Sequence, residues 1–256
     1  MKLTLVHLYP REMNIYGDTG NVLVLRRRLQ WRGIDAEVVP VAVGDRIPSD
    51  ADVILGGGGQ DAAQGDIGAD FLTKGPTLAA MAADGVVMLA ICGSYQMLGH
   101  EFLTKDGAHI AGTGVLDLTT TGSPTRLIGN HIVDTEFGRL AGYENHSGLT
   151  DLGAGVVALG RTVPGRGNNG RDRTEGAVRG NVFGTYLHGP VLAKSPRFAD
   201  ELLRRALARR GAQAGLAPVD GIPVDGTPVA DAPLADLPLA DTLADAAALV
   251  AAGRPR

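Results

Sequence analysis

Val86 to Leu98 reads VVMLAICGSYQML. Six apolar residues lead to the single cysteine of the chain, Cys92, and Gly93-Ser94 then gives way to a short helical pattern. This is the outline of a buried strand, a tight turn and a helix, with Cys92 at the tip of the turn. Outward from it, strands and helices alternate. Lys2 to Leu8 reads as a first strand, and Asp18 or Thr19 can cap a helix running to Arg32 and closed by Gly33. Ala36 to Val43 and Asp52 to Leu55 read as further strands, Pro76 can open a helix that reaches Asp84, and Gly85 ends it. Such alternation predicts an α/β fold: a mostly parallel sheet with helices on both faces. Active sites of such sheets lie at the carboxyl ends of the strands.

A thiol at the start of a helix feels the positive end of the macrodipole and unpaired backbone N–H groups, which favour the nucleophilic thiolate. Small neighbours, Ala90, Gly93 and Ser94, allow a sharp turn and close approach of a substrate carbonyl. The competing reading of Cys92 is a buried structural thiol, because free cysteine is among the most buried residue types. A nucleophilic cysteine needs a base. Of the six histidines, His188 has the most telling context: it ends the run VFGTYL and precedes Gly189-Pro190, where a buried strand gives way to a loop. His7, at the end of the first strand, has a similar placement in weaker surroundings.

From His109 to Thr121 and from Leu127 to Thr135 the pattern turns β-rich. Glu144-Asn145-His146 reads as a polar cluster on a loop, and GRGNNGRDRTEG, Gly165 to Gly176, as a polar exposed loop. Arg197 to Arg210 reads as an amphipathic helix with Phe198, Leu202, Leu203 and Leu207 inward. In the first helix Val22, Leu25 and Leu29 mark the core face, and Arg26, Arg27 and Arg28 are expected to straddle a solvated outside. Residues 1–211 are expected to form one domain. Residues 212–256, rich in Ala, Pro and Asp, are expected to be a disordered tail, with a short helix possible at Ala240 to Ala252.

Composition bounds the function. With 256 residues and 44% apolar content the chain can bury one sizeable core. A net charge of -4 argues against a general nucleic-acid binder. One cysteine excludes a disulfide framework and any multi-cysteine metal site, as in a reducing cytosol. No run approaches the roughly 18 apolar residues of a spanning helix, so a soluble cytoplasmic protein is expected. The loop GGGGQD, Gly56 to Asp61, lacks the Lys-Ser/Thr of a P-loop and is not read as an ATP site.

AICGSYQMLG around Cys92 and GTYLHGP around His188 resemble the nucleophile elbow and histidine strand of class I glutamine amidotransferases, in the branch that includes cobyric acid synthase. YPREMNIYGDTGNVLVLRRRLQWRG, GGGGQD, SPTRLIGN (Ser123 to Asn130) and GYENHSG (Gly142 to Gly148) narrow the resemblance to the GatD subunits of lipid II isoglutaminyl synthases. The resemblance implies that Cys92 attacks the side-chain amide of L-glutamine, that His188 is the general acid and base, and that ammonia leaves for use elsewhere. It implies oxyanion donors at Gly58 and Gly93, each such donor typically worth about 10²- to 10³-fold in rate. A flexible glycine turn competes with that reading. It also makes Arg126 the group that holds glutamine, since a guanidinium can grip a free α-carboxylate bidentately.

No cofactor is expected in this chain. The implied partner is a MurT-like Mur ligase subunit, which carries ATP and Mg and amidates the D-glutamate α-carboxylate of lipid II at the inner face of the membrane. Most triad enzymes place a glutamate two residues after the histidine, whereas Gly189 and Pro190 follow His188 here. The resemblance assigns the missing carboxylate to an aspartate of the partner, so activity should be weak without it. Three alternatives stay open: an amidotransferase for another acceptor such as a cobyrinate-type acid, a non-catalytic scaffold subunit, and a cysteine hydrolase acting without a partner.

Overall fold

The structure is a computed structural model and describes residues 2–59, 61–213 and 241–253. In chain order the elements are β1 (Lys2–Leu8), α1 (Thr19–Trp31), β2 (Asp35–Val41), β3 (Val53–Gly56), α2 (Asp61–Ala83), β4 (Val87–Ile91), α3 (Gly93–Leu98), β5 (Glu101–Leu103) and β6 (His109–Ala111). They continue with β7 (Leu118–Thr135), β8 (Gly138–Leu152), β9 (Gly160–Thr162), β10 (Thr174–Glu175), β11 (Ala177–Arg179), β12 (Val182–Thr185), α4 (Pro196–Gln213) and α5 (Thr242–Gly253). One sheet has the order β11-β12-β4-β3-β1-β2 and is parallel except at β11. A second runs β10-β9-β7-β5-β6, with β8 paired along β7.

The parallel sheet positions the site. β1, β3, β4 and β12 are buried along almost their whole length, which is why they read as continuous apolar runs. Register then aligns their carboxyl ends: Leu8 lies opposite Gly56, Gly56 opposite Ala90, and Thr185 opposite Ile91. The residues that follow, Gly57 to Gly59, Cys92 and Tyr186 to His188, therefore emerge side by side.

Four expectations are corrected. Pro76 does not open a helix; it sits within α2, which begins at Asp61, fifteen residues earlier. A proline suits a first turn because it lacks an N–H; within α2 it is exposed and leaves one intrahelical hydrogen bond unmade. Glu144 to His146 lie on β8, with Glu144 and His146 buried, not on a loop. Residues 165–176 are not simply exposed either, since Asn168, Asn169 and Glu175 are buried and hydrogen-bonded inside.

The fourth correction concerns Arg28, which is 4% exposed instead of solvated. Its guanidinium grips Asp200 of α4 at 2.6 and 2.7 Å and Asp241, just before α5, at 2.7 and 2.9 Å. Arg32 adds a bond to Asp200 at 2.7 Å. Of the tail expected to be disordered, 214–240 lie outside the described residues, whereas α4 extends to Gln213 and Asp241 leads into α5, which packs on β7 and β8.

Breaking this cluster should be costly because buried charges lose their partner. Arg28→Ala should lower the unfolding free energy by about 2–3 kcal/mol and speed hydrogen exchange in α5. Arg26→Ala, at an exposed position, should stay within about 0.5 kcal/mol. Denaturant titration of the two variants checks the contrast.

Candidate active site

Cys92 occupies the sharp turn that its sequence setting predicts. It has φ +50° and ψ −104°, a conformation that costs a non-glycine residue about 1–3 kcal/mol. The turn is held from both sides. Cys92 N–H donates to Thr185 O at 2.8 Å, and Ser94 Oγ and N–H donate to Gly57 O at 2.7 and 3.3 Å. α3 crosses the flanking strands so closely that only glycine fits beneath it. A Cβ at Gly56 would lie 2.6 Å from Ser94 Oγ, and one at Gly184 would lie 2.0 Å from the Tyr95 ring.

His188 is set by the chain that leaves β12. Buried Glu175 accepts from Thr185 Oγ1 at 2.5 Å and Tyr186 N–H at 2.8 Å, and Thr185 Oγ1 accepts in turn from Leu187 N–H at 3.0 Å. Burial pushes the Glu175 carboxyl up to about 7, against the downward pull of those bonds. His188 itself pairs with Tyr143 of β8, donating N–H to Tyr143 O at 2.9 Å and accepting from Tyr143 N–H at 3.3 Å. Its imidazole is 0% exposed, with the rings of Tyr16 and Tyr143 packed on it at centroid distances of 4.6 and 5.6 Å.

The aspartate expected from a partner has a counterpart in this chain. His188 Nδ1 lies 3.2 and 3.3 Å from the two oxygens of Asp18, which is 3% exposed. The sequence offers Asp18 or Thr19 as the helix cap. Asp18 stands at the N-cap of α1, but its side chain makes no capping bond and its carboxylate is spent on the site. No local signal separates the two roles, because a capping aspartate and a site aspartate at a helix N-terminus look alike in sequence. Desolvation pulls the His188 pKa down, but hydrogen bonding to Asp18 and the influence of Cys92 outweigh it and raise the pKa to about 10. Nε2, on the side of Cys92, is buried without a formed hydrogen bond. Catalytic contacts of this type commonly tighten only when substrate binds.

Gly58 N–H donates to Asp18 Oδ2 at 2.8 Å, so that donor is occupied in this arrangement. Gly58 is nonetheless central: a Cβ there would lie 2.6 Å from His188 Cε1, 3.2 Å from Cys92 Cβ and 3.3 Å from Asp18 Oδ2. Gly93 opens α3 directly after Cys92.

Arg126 does not touch Cys92 or His188. It falls in the break of the β7–β8 register between Gly122 and Leu127, where Nε and Nη2 donate to Asn145 Oδ1 at 3.0 and 2.8 Å and Nη2 to Asn145 O at 3.0 Å. Asn145 and Tyr143 are two residues apart on β8 and share a face, so the anchor of Arg126 lies about 7 Å along the strand from Tyr143, which bridges to His188. His146 points the other way and is buried. Desolvation lowers its pKa to about 3 despite its bond to Gly148 O, so it is neutral and donates from Nδ1 at 2.7 Å. Its ring stacks on Tyr186 at 3.5 Å. His7 is buried in the core sheet, and its pKa is lowered by desolvation, which outweighs the pull of Asp18. Among the described residues no group of three or more His, Cys, Asp or Glu is arranged to hold a metal ion.

Residues 4–196 match the CobB/CobQ-like glutamine amidotransferase domain. The GatD subunit of lipid II isoglutaminyl synthase from Staphylococcus aureus is 38% identical over 213 residues, 82% of this chain and 86% of that protein. The corresponding subunit from Streptococcus pneumoniae is 36% identical over 216 residues, 83% of each. A solved structure described as a glutamine amidotransferase aligns with a TM-score of 0.54 over 78% of this chain and 98% of that one, at 17% identity, a likeness of fold. The chain is thus an enzyme of the CobB/CobQ-like glutamine amidotransferase family, in its GatD group.

Proposed function

We propose that this chain is the glutaminase subunit of a lipid II isoglutaminyl synthase. The observation that carries the reading is the convergence of Cys92 on its strained turn, His188, and Asp18 on the far nitrogen of His188. Cys92 Sγ attacks the side-chain amide carbon of L-glutamine, and the oxyanion is received by backbone N–H groups at Gly93 and, once released from Asp18, Gly58. His188 passes a proton to the departing ammonia, and a water deprotonated by His188 then cleaves the thioester to give glutamate. Asp18 orients the imidazole and balances its charge, the part played by the acid of a Ser-His-Asp triad. Arg126 takes the α-carboxylate of glutamine.

The ammonia passes to a MurT-like ligase that binds ATP and Mg and amidates the D-glutamate α-carboxylate of lipid II. Relatives bearing the isoglutaminyl synthase name support that partner and acceptor. Two features of the resting site support gating by the partner. Gly58 N–H is held by Asp18, and the Tyr16 and Tyr143 rings lie over a His188 with no exposed surface.

Treatment with 6-diazo-5-oxo-norleucine should place one adduct on Cys92, faster with the ligase subunit present, and none on Cys92→Ser, as read by mass spectrometry. Equal rates with and without the ligase would remove the gating, and no adduct under either condition would remove the glutaminase reading. Arg126→Ala should raise KM for glutamine at least tenfold with a smaller change in kcat.

Asp18→Asn should lower kcat by on the order of 10²-fold or more and bring the His188 pKa down from about 10. Because the folded pKa is raised, its contribution to stability is complete below the unfolded value of about 6.5 and is lost as pH rises through about 10. The stability gap between wild type and Asp18→Asn should therefore be widest near pH 6 and close above pH 10. Denaturant titrations across pH measure it.

A further inference from the structure

α1 has two faces, and only one of them is accounted for. Val22, Leu25, Arg28 and Leu29 are buried against the domain. Leu23, Arg26, Arg27, Gln30 and Trp31 are exposed, at i, i+3, i+4, i+7 and i+8, while the other residues from Asn21 to Arg32 are buried or half-buried. The outer stripe is not an ordinary solvated face. Leu23 is 56% exposed and Trp31, the only tryptophan in the chain, is 59% exposed.

The charges on this stripe are of one sign. α1 contains no acidic residue. Among the described residues neither Arg26 nor Arg27 has a carboxylate within ion-pair distance, in contrast to Arg28 and Arg32 on the inner face. Arg27 instead lies over the Trp31 ring at 5.7 Å and bonds Gln30 at 3.3 Å. An aliphatic side chain, an indole and two unneutralised guanidiniums on one side of a helix about 20 Å long match the layering of an anionic membrane surface. Indole settles at the headgroup level, and each cation near a negatively charged leaflet adds binding.

We propose that the outer face of α1 is a peripheral membrane contact that rests on anionic lipid headgroups through Arg26 and Arg27 and seats Leu23 and Trp31 at their boundary. This surface extends the proposed function, since a lipid-linked acceptor requires the complex to work at a bilayer. Asp18 stands at the N-cap of the same helix, so one end of the membrane-facing element is fixed to the active site. Two arginines and two apolar side chains give a weak, salt-sensitive attachment suited to a reversible encounter, not a permanent anchor.

The sole tryptophan makes the test direct and free of labels. The full-length protein is titrated at low salt with vesicles of phosphatidylcholine and phosphatidylglycerol in equal parts, and Trp31 emission is followed. A blue shift, quenched by lipids brominated near the headgroup and reversed by salt, is expected, with little response to pure phosphatidylcholine. The double variant Arg26→Gln/Arg27→Gln should bind about 25-fold more weakly, roughly fivefold per arginine, and Leu23→Ser should bind more weakly too. Both should keep wild-type diazo-oxo-norleucine labelling of Cys92, which shows an intact site.

Unchanged Trp31 emission with anionic vesicles would overturn the proposal, as would equal binding to neutral vesicles. So would a blue shift produced only by adding the ligase subunit, which would make the stripe a protein interface. None of these readings requires turnover, so a failure here is distinguishable from a failure of the glutaminase assignment.

Discussion

One buried carboxylate holds the site together. Asp18 is withdrawn from water, so its charge has to be met locally, and it is met by the Gly58 N–H at 2.8 Å and His188 Nδ1 at 3.2 Å. Its place at the N-terminal end of α1 adds the favourable end of the helix dipole. What fixes the carboxylate is therefore the seating of α1. Val22, Leu25 and Leu29 pack into the core, and Arg28 and Arg32 lock the helix to Asp200 of α4. The loop after β3, the turn after β4 and the chain after β12 converge on this helix end, because register has already brought those strand ends together.

Two further buried carboxylates connect the second sheet to the same point. Glu144 of β8 accepts from Arg166 N–H at 2.8 and 3.0 Å and from Gly167 N–H at 2.9 Å, which clamps the segment after β9 against the sheet. That segment carries Glu175, which organises Thr185 and Tyr186 just before His188. β8 also pairs directly with His188 through Tyr143 and anchors Arg126 through Asn145. The β-rich half is thus a frame that sets the distance between Arg126, proposed to hold the substrate carboxylate, and the histidine. Removing charge from Glu144 or Glu175 would loosen backbone, not only side chains.

Much of this was legible where a single local rule governs. The apolar run into Cys92 followed by small residues could form little other than a strand and a sharp turn, and the run ending at His188 had the same clarity. The arrangement of the strand ends followed from the alternation of strands and helices. What escaped reading depended on partners far away in sequence. Asp18 and His188 are separated by 170 residues, and Arg28 and Asp241 by 213. An arginine in the triplet RRR carries no mark of which face it takes until the helix has a neighbour. Glu144-Asn145-His146 looked like a loop because three polar residues in a row conceal a strand whose alternate members are buried in a polar network. Pro76 marks a first turn only where no helix precedes it, and here fifteen residues of α2 do.

The shared use of Asp18 also bears on how such a site could rest and then turn over. In the proposed mechanism two anions compete for the Gly58 N–H, the Asp18 carboxylate before attack and the substrate oxyanion after it. With its pKa raised to about 10, His188 is an imidazolium at neutral pH before attack, so Asp18 keeps a charged partner at 3.2 Å when the Gly58 N–H turns to the oxyanion. Buried and dry, such an exchange is unfavourable until a substrate anion drives it, and that is a physical reason for a closed resting site in an enzyme proposed to hand its ammonia to a partner.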